Sequence, residues 1–343
     1  DGIRDLVRSR GLGDVYKRQA VFGAGAWGTA LAQAFSASHD VVLWGRDRDQ
    51  LDEIGRLHEN SRYLRGVRLR DALAVEPDFA RAAVDADLHL VVTPLAGLRT
   101  TVRELRRLAP GRALLWACKG FEAGTGKLPH EIVAEECGAG AASGVLTGPS
   151  FAAEVARGLP AAIALAAHDA DFARHWVGVL HQPRLRIYAN TDLVGCEVGG
   201  AVKNVMAIAA GVSDGMGFGL NARAALITRG LAEIARLARA LGARGETLMG
   251  LAGMGDLILT CTGDLSRNRR VGLALAEGKG LADILRELGH VAEGVSTARE
   301  VVGLARRHGV EMPICEAIDA LLHHGLDARG AVERLLARDP RAE

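Results

Sequence analysis

The sequence predicts an α/β protein with an N-terminal Rossmann-type, mostly parallel sheet and a C-terminal all-α domain. Up to about residue 192, short apolar runs alternate with helix-length segments, and a glycine-rich turn directly follows the first run. Beyond that point the pattern is helical, and no comparable strand run appears. Strands that are apolar on both faces and separated by helices are typical of a parallel sheet covered on both sides.

The predicted elements follow in order along the chain. Strands are expected at residues 20–22, 41–44, 88–92, 113–117, 144–147, 161–166 and 185–188. Helices are expected at 29–37, 194–210, 222–241, 269–277, 282–288, 296–308 and 315–322. Residues 1–19 mix charges and glycines without a period, which predicts a leader that is non-native or disordered. We therefore expect a dinucleotide-binding Rossmann domain at 20–192 and a helical substrate and catalytic domain at 193–343.

Composition narrows the class of function. The 343 residues are 49% hydrophobic and 24% charged, which is ample material for a globular core. The net charge of +1 argues against a nucleic-acid partner or a membrane-surface role. Five cysteines without a CxxC pair indicate a reducing cytoplasm. No apolar run as long as a membrane span is evident, so neither secretion nor stable membrane insertion is expected.

The glycine-rich turn predicts a dinucleotide site. Gly23, Gly25 and Gly28 match GxGxxG between a strand and a helix. Gly23 permits the tight turn, Gly25 lets the backbone approach a pyrophosphate, and Gly28 lets the helix pack on the strand. The next strand ends in Arg46 and Asp47, which fit the 2′-phosphate of NADP and the 2′-hydroxyl of NAD respectively. We expect NADP(H) or NAD(H), with NADP(H) favoured.

Two lysines are candidates for chemistry, because only five of the 42 basic residues are lysines. Lys119 follows a strand at the sheet edge where ligands of parallel sheets bind. Lys203 lies on an otherwise apolar helix, where desolvation lowers a lysine pKa and suits it to proton transfer. Asp256, in another glycine-rich turn, could orient Lys203; a close ion pair would instead raise the lysine pKa, and the sequence leaves open which effect is larger.

A basic segment predicts a phosphate site. Ser266, Arg267 and Asn268 open a helix, whose N-terminus favours anions. No metal site is expected, since His130 and Glu131 begin an HExxH pattern that has Ala134 in place of its second histidine.

Long sequence blocks resemble the bacterial NAD(P)-dependent sn-glycerol-3-phosphate dehydrogenases. They include VFGAGAWGTALA (21–32), WACKGFE (116–122), LTGPSFAAEVARGLP (146–160), GGAVKNVMAIAAGVSDGMGFGLNARAALITRGLAEI (199–234) and GLAGMGDLILTCTGDLSRNRR (250–270). The resemblance implies a two-domain cytoplasmic enzyme that interconverts dihydroxyacetone phosphate and sn-glycerol 3-phosphate and supplies phospholipid synthesis. Residues 1–19 do not look like the start of that family.

The resemblance also implies roles for individual residues. The general base falls on Lys203, and the lysine between cofactor and substrate falls on Lys119. Substrate contacts fall on Lys119, Gly148, Ser150, Lys203, Asp256, Ser266, Arg267 and Asn268. Cofactor contacts fall on Gly23, Gly25, Ala26, Trp27, Gly28, Arg46, Lys119, Ala152, Arg267, Val291 and Glu293. Ser150 stands where relatives often have Thr, a change that keeps the hydroxyl.

Two other functions remain open from the residues. One is a reductase of β-hydroxy acids or of ketopantoate type, which would not depend on a phosphate site at Arg267. The other is a catalytically silent NAD(P) sensor, which would bind the cofactor without turnover. A homodimer is expected because such dimers are the commonest oligomers.

Overall fold

Eight strands form one sheet in a computed structural model of the chain, which describes residues 17–289 and 292–336. They are β1 Arg18–Phe22, β2 Asp40–Trp44, β3 Leu73–Val75, β4 Leu88–Val91, β5 Ala113–Trp116, β6 Ser143–Thr147, β7 Ala161–Ala166 and β8 Leu185–Asn190. The strand order is β3-β2-β1-β4-β5-β6-β7-β8. Every neighbouring pair is parallel except β6 and β7, which are antiparallel. The predicted mostly parallel sheet is confirmed.

The strands agree with the sequence patterns apart from two details. The strand β3 was not expected, because its apolar run is only three residues long and only Leu73 in it is buried. Strand β1 begins at Arg18, two residues before the expected start, and Arg18 and Gln19 pair with β2. Residues 1–16 of the predicted leader lie outside the described residues.

Helices cover both faces of the sheet. The first group is α1 Ala26–Phe35, α2 Arg48–Leu57, α3 Phe79–Val84, α4 Leu98–Leu108, α5 Pro129–Cys137, α6 Ala152–Ala156 and α7 Ala170–Leu180. Helices α1, α2, α6 and α7 contribute to the apolar core on one face, whereas α3, α4 and α5 contribute to the core on the other. Burial on both faces explains why the inner strands are largely apolar, whereas the edge strand β8 alternates buried and exposed residues.

The remaining helices surround a long central one. They are α8 Leu193–Gly215, α9 Gly219–Ala240, α10 Gly245–Leu248, α11 Asp256–Thr262, α12 Arg267–Ala276, α13 Leu281–Leu288, α14 Glu293–Arg307, α15 Pro313–His323 and α16 Ala328–Leu336. A π-helical turn, Leu251–Gly255, leads directly into α11. The predicted boundary near residue 192 falls between β8 and α8; that each half is an independent domain stays a prediction.

Helix α8 joins the two halves of the molecule. Leu193 and Cys196, at its start, belong to the apolar core of the sheet, while its later residues form the centre of the helical core. The helix is long and apolar enough to cross a membrane, contrary to the expectation that no run of that kind exists, and 94% of its apolar segment is buried inside the protein. The bent pair Gly245–Thr262 and Arg267–Ala276 also passes that test jointly.

Candidate active site

A cleft of about 1320 Å³ runs between the carboxyl ends of the strands and the helical half. It is larger than the 300–1,000 Å³ typical of sites for one small ligand, so a dinucleotide and a substrate have room together. Most of the residues selected from the sequence line it: Gly23, Gly25, Ala26, Trp27, Arg46, Lys119, Ser150, Ala152, Lys203, Asp256, Ser266, Arg267, Asn268 and Glu293. Gly28 and Gly148 do not line it, and Val291 lies outside the described residues.

The glycine turn after β1 forms one end of the cleft. Gly23 has φ +131°, and a Cβ there would lie 2.6 Å from the carbonyl oxygen of Val92. A Cβ on Gly28 would lie only 1.9 Å from the carbonyl oxygen of Gly23, so glycine is needed for α1 to pack against the turn. Nothing lies within 4 Å of a Cβ built on Gly25. The turn thus presents open backbone at the N-terminus of α1, which fits a pyrophosphate.

The acidic residue at the tip of β2 already has two partners. Asp47 is the N-cap of α2, and its Oδ1 accepts a hydrogen bond from the backbone N–H of Gln50 at 3.1 Å. Its Oδ2 pairs with the guanidinium of Arg62 at 3.0 Å. Arg46 beside it is exposed and lines the cleft. Arg46 and Arg62 are therefore the cationic side chains that have spare hydrogen-bond donors in this part of the cleft.

One buried carboxylate bridges the two candidate lysines at the other end of the cleft. Asp256 Oδ2 lies 2.7 Å from Lys119 Nζ, and Asp256 Oδ1 pairs with Lys203 Nζ. The Asp256 side chain is 1% exposed, and those of Lys119 and Lys203 are 15% and 8% exposed. The sequence suggested that Asp256 could orient Lys203, and the structure brings all three groups into direct contact.

The two lysines are shifted in opposite directions. Burial lowers the pKa of Lys203 to about 8, and the neighbouring charge of Lys119 adds to that effect while Asp256 opposes it. Burial also acts on Lys119, but there the charge and hydrogen bond of Asp256 outweigh it and raise the pKa. Burial would raise the pKa of Asp256, yet the two ammonium groups outweigh it and lower the pKa of that carboxyl. Of the two lysines, Lys203 is thus the one whose pKa lies closer to neutral, whereas the pKa of Lys119 is raised above its ordinary value.

The backbone around Asp256 fixes its position. Asp256 is the first residue of α11, directly after the π-helical turn. Thr260, one turn further along α11, donates from Oγ1 to the carbonyl oxygen of Asp256 at 2.6 Å. A Cβ on Gly199 would lie 2.6 Å from the carbonyl oxygen of Ala252, so the glycine lets α8 approach the π-helical turn closely. This approach places Asp256 beside Lys203.

An amide chain links the lysine region to helices α12 and α14. Asn268 Nδ2 donates to Asn204 Oδ1 at 2.9 Å, and Asn268 Oδ1 accepts from the backbone N–H of Gly294 at 3.0 Å. Asn204 Nδ2 reaches Glu293 Oε2 at 3.4 Å. Burial raises the pKa of Glu293, although the charges of Arg267 and Lys119 oppose it. The Asn268 side chain is thus engaged in holding the site together, with one amide hydrogen left for a ligand.

The N-terminus of α12 faces the cleft with a basic side chain. Ser266 caps this helix by accepting a hydrogen bond from the backbone N–H of Arg269 at 3.2 Å. Arg267 is exposed and lines the cleft. The buried guanidinium of Arg269 pairs with Asp214 on α8 at 2.8 Å, which holds α12 against the central helix. A helix N-terminus with an arginine that has no ion pair among the described residues is a suitable anion site.

Sequence comparisons decide the family. Two family models match the chain: NAD-dependent glycerol-3-phosphate dehydrogenase N-terminus over residues 19–173, and the corresponding C-terminus over residues 192–333. A glycerol-3-phosphate dehydrogenase, NAD(P)+, of Aromatoleum aromaticum is 75% identical over 327 residues, covering 95% of this chain and 100% of that protein. The chain belongs to the NAD-dependent glycerol-3-phosphate dehydrogenase family.

Further relatives of this family agree in sequence and in fold. A protein of the same description from Dechloromonas aromatica is 62% identical over 323 residues, covering 94% of this chain and 98% of that protein. The crystal structure of glycerol-3-phosphate dehydrogenase from Coxiella burnetii superposes with a TM-score of 0.90 at 40% identity, covering 94% of this chain and 100% of that one. The resemblance of the sequence to this family is confirmed.

Three polar residues of the cleft, Asn204, Thr260 and Arg62, were not selected from the sequence. Asn204 directly follows Lys203, and Thr260 lies four residues after Asp256, so helical spacing around each candidate could have found them. Arg62 had no such signal, because it lies in an irregular segment far along the chain from the glycine turn. Gly148 shapes the site indirectly: its φ of +140° turns the chain after β6, and Ser150 Oγ then donates to the Gly148 carbonyl oxygen at 3.0 Å.

Proposed function

We propose that this protein interconverts dihydroxyacetone phosphate and sn-glycerol 3-phosphate with NAD(P)(H), and so supplies glycerol 3-phosphate for phospholipid synthesis. The observation that carries the proposal is the carboxylate of Asp256 shared by Lys119 and Lys203, in the same cleft as the glycine turn and the α12 N-terminus. When bound, the nicotinamide takes up or gives hydride at the substrate carbon. Family membership and these groups agree on one reaction class.

Lys203 carries the proton of the reacting oxygen. A secondary alcohol is oxidised only as its hydroxyl proton leaves, so a positioned base is required, and in reduction the same group returns the proton. A pKa of about 8 lets Lys203 serve both directions near neutral pH. Lys119 keeps its positive charge and stabilises the negative charge that develops on the oxygen. Asp256 holds the two ammonium groups in fixed positions next to each other.

The phosphate of the substrate is held at the start of α12. Arg267 supplies a planar fork of donors, and the helix N-terminus adds a positive partial charge. Asn268 has one amide hydrogen left to donate among the described residues, and the Ser266 hydroxyl lines the same cleft. The Ser150 hydroxyl also lines it, and it reaches the phosphate by turning away from the Gly148 carbonyl. Gly148 positions Ser150. These groups favour a phosphate ester over an uncharged ketone.

The test is oxidation of the reduced cofactor by the purified protein, followed by absorbance. We expect rapid oxidation of NADPH with dihydroxyacetone phosphate and very slow oxidation with dihydroxyacetone, which lacks the phosphate. Ketopantoate serves as the carboxylate control. Turnover of ketopantoate in preference to the phosphate ester would contradict the proposal, and so would cofactor binding with no turnover of any of the three compounds.

Finer expectations about cofactor and partners belong to the same proposal. The engaged carboxylate of Asp47, and Arg46, which has no ion pair in the described part of the chain, support a preference for NADP(H) over NAD(H). We also propose a cytoplasmic homodimer that has neither a nucleic-acid partner nor stable membrane insertion. The net charge of +1 supports the absence of nucleic acid. Light scattering on the purified protein tests the dimer, and a monomer mass at micromolar concentration would contradict it.

A further inference from the structure

Arg62 lies beside the glycine turn although it is far from it in sequence. Buried Asn60 donates from Nδ2 to the carbonyl oxygen of Ala24 at 3.0 Å and to Thr29 Oγ1 at 2.8 Å. The same side chain accepts from the backbone N–H of Tyr63 at 3.2 Å. These bonds hold the segment that carries Arg62 against the turn and the first helix. The backbone of Arg62 is therefore held at the wall of the cleft.

The partner of Arg62 stands where the ribose end of a dinucleotide is expected. Asp47 occupies the tip of β2, and its Oδ2 pairs with Arg62 Nη1 at 3.0 Å. The side chains of Arg62 and Asp47 are 56% and 44% exposed. An exposed ion pair contributes little to stability, so Arg62 can exchange this partner at small cost. Arg46 lines the same part of the cleft.

We propose that Arg62 is a second 2′-phosphate ligand, which acts with Arg46 and turns from Asp47 to the phosphate when NADP(H) is bound. A phosphate brought next to Asp47 is repelled by its carboxylate, and Arg46 alone balances only one charge. Arg62 supplies the second charge and donates to the phosphate from the fork that now faces Asp47. With NAD(H), Arg62 stays on Asp47. The inference rests on the proposed use of NAD(P)(H) and names the residue that sets the choice between the two forms.

The test compares binding of two ligands that differ only in the 2′-phosphate. NADPH and NADH are titrated into the purified protein by calorimetry, so the readout does not depend on turnover. For Arg62→Gln we expect the NADPH dissociation constant to rise about tenfold to a hundredfold, the loss typical of a charge-assisted hydrogen bond. The NADH constant should change by less than about threefold, since no bond to NADH is lost.

A matched control comes from the same region. Arg68 forms an equally short exposed ion pair with Asp71 at 3.0 Å and does not line the cleft, so Arg68→Gln should leave both constants unchanged. Arg62→Lys, which keeps the charge but not the fork, should restore part of the NADPH affinity. Equal weakening of NADPH and NADH by Arg62→Gln would show a merely structural role and overturn the inference. Unchanged NADPH binding would overturn it as well, whereas wild-type protein that binds neither cofactor would contradict the proposed function itself.

Discussion

Replacing Asp256 by Asn should move the pH dependence of the reaction to lower pH. The Asp256 carboxylate is buried and contacts both lysines, so its removal deprives two neighbouring ammonium groups of the carboxylate with which both are paired. An opposite charge at this range shifts a pKa by about 1–3 units. The pKa of Lys203, now about 8, should therefore fall to roughly 5–7 in Asp256→Asn. Asn keeps the size and one oxygen acceptor, so the change acts mainly through charge.

The substitution Asp256→Asn should change the rates of reduction and of oxidation in opposite ways. Reduction needs protonated Lys203, so its rate falls as pH rises through the Lys203 pKa; oxidation needs the neutral amine and gains over the same interval. At pH 7 the wild-type lysine is about 90% protonated, whereas at a pKa of about 6 only about 10% is protonated. We expect the reduction rate of Asp256→Asn at pH 7 to fall about tenfold from this cause alone.

The assay is kcat/KM against pH in both directions, with Asp214→Asn as the control. Asp214 is also a buried carboxylate shared by two cations, Arg223 and Arg269, but it lies away from the lysines. Asp214→Asn should lower the stability without moving the inflection of the pH profile. An inflection that stays near 8 in Asp256→Asn, or moves to higher pH, would refute the assigned coupling between Asp256 and Lys203.

Three further substitutions test other parts of the site and the fold. Arg267→Gln should raise KM for dihydroxyacetone phosphate about tenfold or more and leave the slow reduction of dihydroxyacetone unchanged, a split that steady-state kinetics measures. Gly28→Ala should lower the free energy of unfolding by about 1–3 kcal/mol in urea titrations, since its Cβ would meet the Gly23 carbonyl oxygen, whereas Gly25→Ala should leave stability intact and weaken cofactor binding. Gln19→Leu should raise the free energy of unfolding by about 1–2 kcal/mol, because Gln19 is fully buried in β1 and neither polar atom of its side chain has a partner in the described part of the chain; an unchanged urea midpoint would contradict this reasoning.

The sheet was predictable because its strands are buried on both faces. Largely apolar runs marked six of the eight strands, an alternating run marked β8, and the glycine spacing placed the turn. Strand β3 was missed because three apolar residues are too short a run to stand out. The reversed direction of β7 and β8 left no mark, because apolar periodicity carries no information about the direction of a strand. Directions depend on the connections, which were not distinguishable from the residues alone.

The sequence predicted which ionisable groups form the site, but not which effect dominates the pKa of each lysine. The scarcity of lysine pointed to Lys119 and Lys203, yet whether burial or ion pairing determines each pKa depends on distances that no pattern contains. The structure resolves this difference: burial outweighs the ion pair at Lys203, and the ion pair outweighs burial at Lys119. Arg62 was missed for a similar reason, since only the folded contacts of Asn60 bring it to the cleft.

The most direct measurement compares turnover and cofactor binding in Lys203→Met. Met keeps an unbranched side chain of nearly the same length and removes the proton-carrying amine. We expect kcat for dihydroxyacetone phosphate reduction to fall by about 10²–10⁴, the usual contribution of a general acid, while calorimetry finds NADPH binding nearly unchanged. Turnover close to that of the wild type, with NADPH still bound, would contradict the assignment of Lys203 as the proton carrier.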